Sequence, residues 1–187
     1  MKSYKTPTAD VPFSYAVKVG HISANPVQVR LEADEREREG LAKLWQVEAV
    51  TALKADLSIA RWKKDGVKIK GEVRADIVQA CVVTLEPIES TIEADLEQIF
   101  VPEGSKLARI VTDEIGEMVL DPEGPDLPEP FSGDTIDAGA LVAEFAALSI
   151  DPYPKKPGAV FDSHIESDAE RDVKPSPFAV LQGLKKD

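Results

Sequence analysis

Cysteine is nearly absent from this chain of 187 residues: Cys81 is the only one. That scarcity excludes an internal disulfide framework and any zinc site built from several thiolates. Histidine is almost as rare, and His21 and His164 lie in segments with no catalytic pattern. No apolar run approaches the length of a membrane span, so no membrane partner is expected. Met1–Pro7 carries two lysines but no apolar stretch behind them, so no secretory signal is expected either. These absences point to a cytoplasmic protein. The apolar share, 43%, is large enough to bury a core and argues against wholesale disorder.

Acidic charge is abundant and unevenly placed. The formal net charge is −12. Residues 1–85 hold 14 basic and 11 acidic side chains, a balance of +3. Residues 86–137 hold 2 basic and 15 acidic, a balance of −13, and residues 138–187 hold 6 and 8. The middle third therefore carries the excess. Such a field repels nucleic acid and attracts basic partners, and salt screens it. A solvated surface that only keeps the protein soluble would show the same composition.

Hydrophobic periodicity gives the element order. Phe13–Val19 and Val27–Leu31 read as short strands around a Gly20/Asn25-Pro26 turn. A helix follows from Asp34, which can cap it, with Glu37 three residues on as in a capping box. Leu41, Leu44, Trp45 and Glu48 have helical spacing. Leu53, Ala55, Leu57 and Ile59 then alternate with Lys54, Asp56, Ser58 and Ala60, and the alternation resumes from Val67 to Ile77. Period two on both sides of Lys63-Lys64-Asp65-Gly66 predicts a hairpin. A two-residue loop would set Ile59 opposite Glu72. A three-residue Lys64–Gly66 loop pairs Leu57 with Val73 and Ile59 with Gly71, places Trp62 opposite Lys68, and puts Gly66 in the left-handed region. A third strand over 88–101 has an almost wholly acidic solvent face. Asp121–Asp134 contains four prolines and reads as a loop. Ala138–Leu148 predicts a helix with Leu141, Val142, Phe145 and Leu148 on one face.

The fold class that follows is α+β: an antiparallel meander, open or curled barrel-like, with strands near 50–62, 67–80 and 88–101, packed by one or two helices. Residues 1–150 form one domain with a Pro-rich loop at 121–134. Residues 151–187 form an extended Pro-rich tail ending in a short apolar anchor, Phe178, Val180, Leu181 and Leu184, which docks on its own domain or captures a partner.

No nucleotide loop, paired-cysteine motif, EF-hand or nucleophile elbow is present. A lone Cys81 on a strand reads as a small buried residue sooner than as a nucleophile. Carboxylates at every second strand position stand about 6–7 Å apart, too far for a compact metal cage. No enzyme, metal or cofactor is therefore expected. Two surfaces stand out instead. The first is the basic hairpin of Arg61, Trp62, Lys63, Lys64, Lys68, Lys70 and Arg74, which could hold phosphates and stack a base, or could simply blunt a sheet edge. The second is the acidic set Glu89, Glu93, Asp95 and Glu97, suited to a basic protein.

The segment Val73–Pro87, with Cys81-Val82-Val83-Thr84-Leu85-Glu86-Pro87 at its end, Tyr153-Pro154-Lys155-Lys156-Pro157-Gly158, and the terminal Pro177-Phe178-Ala179-Val180-Leu181 resemble the YceD family over roughly residues 35–187. Cys81, Leu85 and Pro87 carry the family motif. The resemblance implies a bacterial or plastid protein without established enzymatic activity, concerned with accumulation of large-subunit ribosomal RNA. It also implies a link to a small basic large-subunit ribosomal protein, whose gene commonly neighbours the family's in bacteria. The partner expected is ribosomal RNA or that basic protein. Many relatives have a second cysteine in a Cys-x-x-Cys-Leu pattern, where this chain has Thr84. The alternatives are a metal- or thiol-dependent enzyme, or a general acidic interaction module unrelated to ribosomes.

Overall fold

The long alternating segments become long strands. In the computed structural model, which describes residues 11–108 and 127–160, the chain runs β1 (Ala16–Lys18), β2 (Val27–Glu32), α1 (Glu35–Trp45), β3 (Ala49–Trp62), β4 (Gly66–Ala80), β5 (Pro87–Pro102), β6 (Glu129–Phe131), β7 (Thr135–Asp137) and α2 (Ala138–Leu148). The class is α+β, as expected. A five-stranded sheet has the order β2-β3-β4-β5-β6, and β1 pairs with β7 in a separate two-stranded sheet. The meander β3-β4-β5 is antiparallel, but β6 adds to β5 in parallel, so the sheet is mixed and open and closes no barrel. The Pro-rich stretch read as loop thus contains a strand. Its three residues pair with a strand that precedes it by 27 positions at the least, which no local pattern reports.

One face of the sheet is apolar. Leu53, Leu57, Ile59, Ile69, Val73, Ala75, Ile77, Ile92 and Leu96 are almost fully buried beneath the helices. Helix α1 starts at a complete capping box, Asp34 accepting from the Glu37 N–H and Glu37 accepting from the Asp34 N–H, both at 2.8 Å. Leu41 is its buried contact, while Leu44 is 54% exposed. Helix α2 starts at Asp137, whose carboxylate accepts from the Ala140 N–H, the Tyr15 N–H and the Ser14 hydroxyl. The Ala138 N–H donates to the Tyr15 carbonyl, so the N-terminal segment is stitched to the helix start. The buried face of α2 is lined by Ala138, Leu141, Val142, Ala143 and Ala146. Leu148, expected inside with Leu141, Val142 and Phe145, is exposed as the last residue of the helix, although Ala146 in the same turn is buried.

The hairpin differs from expectation by two residues. Leu57 faces Gly71, Ile59 faces Ile69 and Trp62 faces Gly66, so the loop is Lys63–Asp65. The left-handed residue of the hairpin is Lys63, at φ 53°, and Gly66 has no positive φ. Gly66 is needed not for a left-handed backbone angle, as expected, but for its missing side chain. A Cβ at Gly66 would stand 2.8 Å from Trp62 Cε3, and one at Gly71 only 2.3 Å from the Asp56 carbonyl oxygen. A slip of two preserves which side chains face inward, so the core is as expected although the partners are not.

Backbone cannot yield as a flexible side chain can. Gly71→Ala is therefore expected to cost about 1–3 kcal/mol, the usual penalty of overpacking, whereas Gly20→Ala, with open space around the position, should be near neutral. Urea denaturation of the two variants checks the contrast.

Candidate functional site

The sheet's other face is polar and open. Register places the side chains in rows across the strands: Glu32–Lys54–Arg74–Glu93, then Arg30–Asp56–Glu72–Asp95, then Gln28–Ser58–Lys70–Glu97. The basic hairpin residues Lys68, Lys70 and Arg74 and the acidic residues Glu89, Glu93, Asp95 and Glu97 therefore occupy one surface, interleaved, and not two separate patches. Lys68 and Lys70 both reach Glu97, at 2.5 and 2.7 Å, and Arg74 reaches Glu93 at 2.8 Å. Arg30 pairs with Asp56 and Lys54 with Glu32. Hydrogen bonds from Lys68 and then Lys70 hold the Glu97 carboxyl below its ordinary range.

Every cation in these rows is thus engaged by a carboxylate. The reverse does not hold. Glu72, Glu89 and Asp95 have no cation within salt-bridge distance among the described residues. Glu72 also stands directly between Asp56 and Asp95, an arrangement of like charges that costs stability.

Arg61, Trp62, Lys63 and Lys64 lie at the hairpin end. Lys63 Nζ sits 4.2 Å from the Trp62 ring centroid, a cation–π contact. The same indole covers Gly66. The expected aromatic platform is therefore half-buried and already in use.

The family-motif segment forms a closed turn between β4 and β5. The Cys81 N–H donates to the Glu86 carbonyl and the Leu85 N–H to the Cys81 carbonyl. Leu85 is left-handed at φ 59° and 76% exposed, and Pro87 opens β5 opposite Ala80. Residues from beyond α2 clasp this turn. The Val82 N–H donates to the Pro154 carbonyl, the Lys156 N–H lies 3.4 Å from Cys81 Sγ, and Lys156 Nζ pairs with Glu86 at 2.8 Å. The sulfur is shut away from solvent. Burial alone would push the thiol up, but the Lys156 N–H, the Thr84 hydroxyl and N–H and the Val83 N–H outweigh it and bring it down to about 6. Thr84 stands in the same turn, where its hydroxyl accepts from the Glu86 N–H at 3.4 Å.

A family model described as "Large ribosomal RNA subunit accumulation protein YceD" matches residues 69–185, well over half of the chain. The chain belongs to the YceD family. No curated protein and no solved structure gives a significant match. The YceD match opens inside β4 and takes in β5, the Cys81 turn, α2 and the clasp; α1 and β3 lie outside it.

Other expectations find their places more briefly. His21 is exposed in a short 3-10 turn. His164 and the anchor residues Phe178, Val180, Leu181 and Leu184 lie outside the described residues. Among the described residues no group of three or more His, Cys, Asp or Glu is placed to hold a metal, and no helix is long and apolar enough to cross a membrane. Sequence reasoning missed Lys156 as the partner of the Cys81 turn and Glu72 as the centre of a carboxylate row. The first is 75 positions away; the second follows only from the pairing of three strands.

The thiol supplies a pH test. Its folded value, about 6, lies below its ordinary 9.0. Stabilisation from the thiolate is therefore fully present above pH 9 and lost as pH falls through 6. Stability should rise across that window more steeply in the native chain than in Cys81→Ala, by denaturant titration. Lys156→Pro, which removes the donor N–H, should raise the pH at which the thiolate absorbance appears, and Lys156→Ala should do so far less.

Proposed function

We propose that the chain is a non-enzymatic factor in accumulation of the large ribosomal RNA subunit, and that it acts by holding a basic large-subunit ribosomal protein on the outer face of the sheet. YceD membership supports the coarse role. The observation that carries the choice of partner is the charge accounting of that face. Its cations are each engaged by a carboxylate, while among the described residues Glu72, Glu89 and Asp95 are left over. A phosphate backbone would meet paired lysines and surplus negative charge. A lysine- or arginine-rich segment would meet carboxylates in rows and relieve the like-charge contact around Glu72.

Ribosomal RNA could instead use Arg61, Lys63 and Lys64 at the hairpin end. Stacking a base there would first require Lys63 to leave the Trp62 ring, which disfavours this arrangement.

Affinity capture from growing cells, with mass spectrometry and RNA sequencing of the eluate, tests the proposal. A basic large-subunit protein should co-purify with the native chain and be lost from a variant carrying Glu72→Gln, Glu89→Gln and Asp95→Asn. Glu93 and Glu97 are spared because neutralising them would free cations. Recovery of RNA without the protein, with loss on Lys63→Glu and Lys64→Glu, would replace this reading with RNA binding. Glu72→Lys provides a separation of effects: it should raise thermal stability by pairing with Asp56 and Asp95, yet weaken capture of the basic protein.

A further inference from the structure

Between the C-terminal end of α1 and the flank of α2 lies an open groove of about 630 Å³, a size that accommodates a ligand or a short peptide segment. Its lining is mostly apolar, with Trp45, Val47, Ala143, Ala147 and Ile150. One polar atom there is stranded. The indole Nε1 of Trp45 is closed to water and has no acceptor among the described residues, although buried donors are nearly always paired. The groove is also acidic at its rim, where Glu144 and Asp151 stand. Burial, and then the charge of Glu144, push the nearby Glu129 carboxyl up.

A fitting occupant is present in the same chain. Phe178, Leu181 and Leu184 recur at every third position, enough for one apolar stripe over two helical turns. Backbone carbonyls and the Gln182 amide would bring hydrogen-bond acceptors, and Lys185 and Lys186 follow immediately. Asp151 and Pro152 themselves line the groove, and the chain is tied down beyond them at Pro154 and Lys156. From Val160, the last described residue, 18 positions lead to Phe178. Extended, they span about 60 Å, more than the diameter of a domain of this size. The tether sets an effective concentration on the order of millimolar, so a small apolar contact suffices.

We propose that Phe178–Leu184 docks in cis in the groove between α1 and α2, its apolar stripe against Trp45, Ala143 and Ala147, with Lys185 and Lys186 toward Glu144 and Asp151. In the full chain carrying Trp62→Phe, Trp45 is the sole tryptophan and reports directly. Phe178→Ala with Leu181→Ala should shift its emission to the red and increase its quenching by acrylamide, equally at every protein concentration. Ala147→Glu in the groove should reproduce the shift, with far-UV circular dichroism checking the fold; the tail variant decides if Ala147→Glu unfolds the domain. Unchanged emission in the tail variant would overturn the proposal and leave the groove to another occupant. A shift that depends on protein concentration would also overturn it, since the segment would then come from a second copy.

Discussion

Side chains on a β-strand point alternately to opposite faces, and in this protein three neighbouring strands of 14 to 16 residues obey that alternation together. Their inward set is apolar almost throughout and forms the core. The outward set then has no freedom to disperse: each charge stands opposite whatever the neighbouring strand presents. The charge pattern of the exposed face is thus a consequence of strand pairing. Opposite charges meet at Lys70–Glu97 and Arg74–Glu93, and like charges meet at Asp56–Glu72–Asp95. The pairing that makes the core also settles which charges remain available to a partner.

That dependence explains what could be read from the sequence. Alternation identified the three strands and their buried residues, because parity survives a slip of two. The Asp34–Glu37 box located α1, and Ala138–Leu148 was legible from helical spacing alone. Gly66 was recognised as special for the wrong physical reason, since close approach and not backbone angle requires it. Summing charge along the chain suggested a positive ribbon and a separate negative strand. Those segments are neighbours in space, so the sums cancel across the sheet where the linear count kept them apart. The partners of the Cys81 turn were hidden for a similar reason: the donor from Lys156 arrives from the far side of α2.

The YceD match and the outer face overlap in β4 and β5 but are not the same part of the molecule. The match joins β4, β5, the Cys81 turn and the clasp beyond α2, and these are the parts held together by Lys156. The outer face spans β2 to β5 and draws its first two strands from outside the match. The face is thus completed by two strands that lie outside the match. Charge changes in β2 and β3 would retune the face without touching the Cys81 turn.

Asp137 is a small feature with wide reach. One carboxylate serves both the first turn of α2 and the backbone and hydroxyl of the segment at Ser14–Tyr15. Opening the N-terminal segment therefore exposes the helix start at the same moment, and neither can fray alone. Slow amide exchange at β1 and at α2 would share a single opening event, a cooperative unit assembled from chain segments more than 120 positions apart.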